Sequence, residues 1–213
     1  DYFFLIPEFL ISAPDKIKSS AGFDAIAQAL ESLIAKKSNK ESCEYAKKSL
    51  EISTKSYISF LKNPTLKHAA EMSLAANLAG KAINISKTTA PHAISYPFTS
   101  LYNISHGHAV SLFFEKFLKF NFSNLHKSET SFNLNERFEL IFKLFDVKNI
   151  EDFSKKIISI KQQAKLVDDL KILNVDLNKN YDQVIKGINL LRLGNNPVKI
   201  VEEDIYNIFK KNI

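Results

Sequence analysis

The chain has 213 residues, 45% of them hydrophobic, enough for one domain with a substantial core. Its single cysteine, Cys43, excludes an internal disulfide framework and fits a reducing, cytoplasmic setting, and no apolar run approaches the ~20 residues of a membrane-spanning helix. The net charge of +6 is almost entirely Lys, with Arg only at 137 and 192; no groove-reading motif accompanies it, so the lysines read as a solvated surface and neither nucleic acid nor membrane is an expected partner.

Residues 2 to 12 are β-favouring, with Pro7 interrupting, and predict a short strand or extended lead-in. Pro14 to Ser19 introduces a helix running to about Lys37, on which Asp24 and Gln28 share a face otherwise lined by Ala and Leu. A buried carboxylate needs a cation or several hydrogen bonds; taken alone, Asp24 reads as a helix cap. Ser38-Asn39-Lys40-Glu41 predicts a turn and cap opening a second helix to Leu61, which Asn63-Pro64-Thr65 breaks. A third helix, Leu66 to Ser86, carries Ala75, Ala76, Ala79 and Gly80 as a small-residue face and reads as the central, tightly packed helix.

Three of the five histidines fall within residues 90–108, among small and apolar neighbours. Pro91 suits the first turn of a short helix with His92 and Tyr96 on one face, and Pro97 should end or kink it at once. The next helix opens near His106 and runs through Val110, Leu112, Phe113, Phe117 and Phe120, an apolar stripe whose Phe residues are core. A lone histidine in such a stretch is usually a satisfied core residue, but two anchored at different element starts could converge on one ion. His108 is equally a pocket-lining or a helix-start histidine; His68 and His126 sit in polar surroundings and read as surface residues.

Residues 123–135 form a polar connection, followed by amphipathic stretches over 136–145, 150–164, 181–193 and 202–211. The five glycines never come within a few residues of one another, and strands do not alternate with helices. A Gly-rich dinucleotide turn is therefore absent from these residues, and the fold class is all-α.

Four ordered blocks carry a family resemblance: Gly-Phe-Asp-Ala-x-x-Gln-Ala-x-Glu from Gly22, Ala-Asn-Leu-Ala-Gly-Lys-Ala-Ile-Asn over 76–84, Pro-His-Ala-Ile-Ser-Tyr-Pro from Pro91, and His-Gly-His-Ala-Val from His106. Together with Asn195-Asn196-Pro197, they resemble the iron-containing alcohol dehydrogenase family. The match is to its all-helical C-terminal domain, of the dehydroquinate synthase-like type, and comes nearest to the phosphonoacetaldehyde reductase-like branch. The resemblance implies a divalent metal site made by Asp24, His92 and His106, with Gln28 where the family's remaining histidine ligand stands. Iron(II) is the implied ion and zinc its competitor. Gln28 is a weaker, neutral ligand and reads as a subfamily mark. Tyr96 stands where many members carry another histidine; with His108 it is the candidate for orienting substrate or relaying a proton.

The implied activity is oxidation of a small alcohol, or reduction of its aldehyde, by hydride exchange with NAD or NADP. That cofactor would bind an N-terminal domain absent from this chain. Residues 1–12 would then be the tail of that domain and residues 13–213 the helical metal-binding domain, incomplete and inactive by itself. Two other readings stay open. One is a non-catalytic helical module without metal, whose surfaces pair, which also allows a homodimer. The other keeps the metal but performs chemistry resembling that of dehydroquinate synthase.

Overall fold

The computed structural model describes residues 4–210, and among them every regular element is helical. The lead-in is not extended. Residues 4–6 have no regular structure and Glu8–Ile11 form a single helical turn, α1, entered through Pro7 at φ −61° and ψ −24°. Proline's fixed φ is already that of a helix start, which overrides the β-favouring side chains around it; positions 2 and 3 of the expected strand lie outside the described residues.

Three long helices follow: α2 (Asp15–Ile34), α3 (Lys40–Lys62) and α4 (Leu66–Ser86). Asn39 caps α3 in a reciprocal box with Ser42, as the turn residues predict, and Thr65, read only as part of the break, also caps α4. The enclosed helix is α2, not α4: it is packed by α3, α4, α6 and α8. On α4, Ala75 and Ala79 are buried, but Ala76 is exposed and a Cβ on Gly80 would meet nothing within 4 Å. The small-residue face of α4 is therefore only partly enclosed, while α2 uses Gly22 to admit the ring of Tyr57. The Tyr57 hydroxyl donates to the Ser19 carbonyl at 2.5 Å, and burial pushes its pKa up.

The middle of the chain holds α5 (Ala90–Tyr102), α6 (His106–Ser111) and α7 (Phe114–Ser123). Pro97 does not end α5. A proline inside a helix leaves the carbonyl four residues back without its donor; here that carbonyl, of Ala93, accepts from the Asn189 N–H at 3.1 Å, and α5 runs on to Tyr102. The stripe expected as one helix from His106 is split at Leu112–Phe113. Adjacent Phe113 and Phe114 are both buried, but in different clusters.

Those clusters define the architecture. One is built from α2, α3, α4 and the helices α8 (Leu134–Phe145) and α9 (Ile150–Gln163). The other joins α5 and the C-terminal elements α10 (Leu177–Lys186), α11 (Leu190–Leu193) and α12 (Glu202–Lys210) around Phe98, Phe113 and Phe209, with Phe113 and Phe209 centred 4.6 Å apart. The stretch expected as one helix over 181–193 starts earlier, because Asp176 caps Lys179, and restarts at Asn189, which caps Arg192. Residue 211, expected in α12, lies outside the described residues.

Two contacts fix α6 where the clusters meet. A Cβ on Gly107 would overlap the Ser20 carbonyl and come within 2.9 Å of Asp24 Cβ, so only glycine lets α6 lie directly on α2. Behind it, the buried Lys161 Nζ donates to the Ser111 carbonyl at 3.1 Å, to Glu115 at 2.7 Å and to Asp168 at 2.8 Å. Asp168 has its pKa raised by burial, against the pull of Lys161.

Gly107→Ala should lower stability by ~1–3 kcal/mol, the usual cost of forcing extra volume into a packed contact, measured by urea denaturation against wild type. Lys161→Ala strands the Glu115 charge in the interior and should cost about 3–5 kcal/mol in the same assay. An unchanged midpoint for either variant would contradict the packing described.

Candidate metal centre

Asp24 lies in the middle of α2, ruling out the cap role, since Pro14 occupies that position. Gln28 and Glu31 follow on the same face, four and seven residues on, so one stripe of α2 carries two acidic groups and a carboxamide into the interior. Glu31 has no solvent exposure. Its Oε1 accepts from the Thr89 N–H at 2.9 Å, the Thr89 hydroxyl at 2.8 Å and the His92 N–H at 3.4 Å, while Oε2 meets His92 Nδ1. Glu31 thus caps α5 from another helix, where Thr89 makes no side-chain cap of its own, and it fixes the His92 ring.

With Nδ1 committed to Glu31, His92 turns Nε2 toward Asp24 Oδ1, 3.2 Å away. The His106 Nε2 reaches the same oxygen at 3.8 Å from the start of α6, and the two imidazoles sit with centroids 5.3 Å apart. One donor atom from each of Asp24, His92 and His106 lies within 4.8 Å of the others. His92 Nε2 and Asp24 Oδ1 are buried without any hydrogen-bond partner. Two orphaned buried lone-pair atoms facing a third donor fit a divalent cation, and one carboxylate with two imidazoles is an ordinary set for a first-row metal.

The electrostatics agree with that fit. Burial opposes charge on His92, but Glu31 and Asp24 outweigh it and raise its pKa from 6.5 to about 9. A field that holds a proton on Nε2 is one that a bound cation would also satisfy. His106 is shifted down, first by burial, with Asp24 opposing the shift and the neighbouring His92 and Arg192 adding to it. Its side chain is 39% exposed against 3% for His92, so the trio opens to the surface on the His106 side.

The remaining site residues fall around this centre. Gln28 touches it through Asp24 Oδ2, to which its amide donates at 2.7 Å. Tyr96, one turn beyond His92, places its ring 5.9 Å from that of His106, and the Arg192 guanidinium lies 5.6 Å from the same Tyr96 ring. His108 points elsewhere: its Nε2 is 2.7 Å from the Val167 carbonyl, and it lines a cleft with Tyr102, Ser105 and Val167 that includes none of the trio. His68 bonds the Asn63 carbonyl and His126 is exposed. Asn195 ties the site's borders together, accepting from Lys37 N–H and donating to the Ser86 and Thr88 carbonyls. Sequence reasoning assigned no role to Glu31 or Arg192. The i, i+4, i+7 spacing of Asp24, Gln28 and Glu31 in an apolar helix was the available signal for the first; the scarcity of arginine was the signal for the second.

Residues 18–213 match the family described as Fe-containing alcohol dehydrogenase family, C-terminal. The chain is 25% identical over 213 residues to a 4-hydroxybutyrate dehydrogenase of Clostridium kluyveri, covering 99% of this chain and 57% of that one. It is 28% identical over 119 residues to a phosphonoacetaldehyde reductase of Streptomyces viridochromogenes, covering 55% of this chain and 30% of that protein. Among solved structures, sulfoacetaldehyde reductase from Bifidobacterium kashiwanohense in complex with NAD+ superposes with a TM-score of 0.84 at 25% identity, over 97% of this chain and 52% of that one. The chain therefore spans little more than half the length of these relatives. With all but its first residues matched, the chain belongs to the Fe-containing alcohol dehydrogenase family, as its helical C-terminal domain.

Proposed function

We propose that these residues form the metal-binding half of an NAD(P)-dependent dehydrogenase that interconverts a small alcohol and its aldehyde. The observation that carries this reading is the convergence of Asp24, His92 and His106 within 4.8 Å, with two of the three donor atoms buried and unpartnered. A divalent ion held there, iron(II) or zinc, supplies Lewis acidity to the substrate oxygen and lowers the pKa of the alcohol.

The chain's own residues divide the remaining work. Glu31 holds His92 in the tautomer that presents Nε2, the usual task of a carboxylate behind a metal-binding imidazole. His106, at the exposed edge, marks the side from which substrate approaches. Gln28 orients Asp24 as placed; turning its amide end for end would present its oxygen as a further ligand. Tyr96, a hydrogen-bond donor, orients the substrate oxygen beside His106. His108, bonded to Val167, positions α6 from behind. Binding of NAD or NADP belongs to a nucleotide-binding domain outside residues 13–213. The relatives are named for 4-hydroxybutyrate, phosphonoacetaldehyde and sulfoacetaldehyde, each a small molecule with an alcohol or aldehyde at one end.

The test is metal content and NAD(P)-linked turnover of the full-length protein. His106→Ala should abolish both, and Glu31→Gln should weaken metal binding ~10–100-fold while leaving the helical circular dichroism intact. Full activity in metal-stripped enzyme, or in His106→Ala, would sink the assignment. Gln28→His replaces a carboxamide with an imidazole and should tighten metal binding by roughly tenfold or more, read by competition with a chromophoric chelator.

A further inference from the structure

Arg192 is one of two arginines in the chain, and the two differ in where they stand. Arg137 lies 4.7 Å from the Phe132 ring with Nη1 on the Cys43 sulfur, whereas the ring beside Arg192 is that of Tyr96, next to His106. Arg192 stacks 5.6 Å from the Tyr96 ring and places Nη1 on the Thr88 hydroxyl. Among the described residues, no carboxylate stands at ion-pair distance from it. A half-buried guanidinium offers five donors in a flat fork, and one hydroxyl and one ring leave most of the fork unused and the charge without an anion.

Its position is also fixed rather than incidental. Asn189 caps the Arg192 N–H at 3.0 Å, and the Asn189 N–H in turn fills the Ala93 carbonyl that Pro97 leaves open on α5. The cation is therefore tied to the helix that carries His92 and Tyr96. The Tyr96 ring lies 5.6 Å from the Arg192 guanidinium and 5.9 Å from the His106 ring, so one side chain neighbours both the cation and the trio.

We propose that Arg192 receives an acidic group at the far end of the substrate, so that the preferred substrates are small aldehydes or alcohols bearing a terminal carboxylate, sulfonate or phosphonate. A planar fork matches such oxyanions with paired hydrogen bonds, while the oxygen to be reduced or oxidised lies at the trio, whose His106 neighbours the same Tyr96 ring. The inference rests on the dehydrogenase reading for its reacting end, and on Arg192 alone for its anionic end.

The experiment uses the full-length, metal-loaded enzyme and two four-carbon aldehydes, succinic semialdehyde with its carboxylate and uncharged butanal. The wild type should favour the acidic aldehyde in kcat/KM by roughly tenfold or more, and Arg192→Gln, which keeps a donor for Thr88, should remove that preference mainly through KM. Arg192→Lys should retain part of it, since the charge survives without the fork. In parallel, calorimetry with propane-1-sulfonate, an unreactive anion and a poor metal ligand, should show binding that Arg192→Gln loses. An acidic-to-neutral ratio that Arg192→Gln leaves unchanged, with sulfonate binding intact, overturns the proposal and leaves the dehydrogenase standing. Arg192-dependent sulfonate binding without turnover of either aldehyde upholds the anion site and removes the dehydrogenase reading instead.

Discussion

Glu31 is a carboxylate shut away from solvent, and a buried charge is tolerated only where partners surround it. Its partners are all on the segment that opens α5: the backbone and hydroxyl of Thr89, the backbone of His92 and the His92 ring. The requirement to satisfy this one group therefore decides where α5 starts, how its first turn is capped and which nitrogen His92 turns toward Asp24. The geometry of the trio is downstream of that demand. Asp24 and Glu31 come from one rigid helix, so the two carboxylates are held at a spacing that α2 sets, and His92 is gripped between them.

The trio also lies on a seam. Asp24 belongs to the helix at the heart of one hydrophobic cluster, whereas His92 sits on a helix of the other, and His106 begins the short helix that Gly107 seats between them. Because each cluster is close-packed, the distance between Asp24 and the imidazoles is set by how the two bodies dock and not by side-chain adjustment. Lys161 reinforces that docking from behind, joining α9 to Ser111 and Glu115 and to Asp168 on the connection that follows. A polar network that has every partner it needs holds such a joint in one register.

Much of this was readable from residues and some of it was not. The long helices and the cap of α3 follow from apolar spacing and from Asn39, local signals that the fold leaves intact. Asp24, His92 and His106 were legible because the blocks around them resemble a family; periodicity alone favoured a cap and core histidines. The misreadings share a cause. Pro97 breaks a helix only if its orphaned carbonyl stays unpaired, and the remedy, Asn189, lies far away in sequence. The break at Phe113 reflects two clusters that no local pattern distinguishes, and the helix judged central from its alanines was outranked by α2 once third partners were in place. Pro7 reads as a strand interrupter until α1 is seen packing on α4.

The contrast between a sealed His92 and a half-open His106 bears on how an ion would come and go. The two buried donors behave as a fixed cup, since moving either means disturbing Glu31 or the middle of α2. His106 is the donor at the open edge, its ring meeting those of His92 and Tyr96 on one side and solvent on the other. Under the proposed function, an ion would enter and leave on the His106 side, where the trio meets the surface. A chelator would need no unfolding to reach the ion, and a bound substrate or neighbouring domain lying over His106 would slow its escape without adding a single ligand.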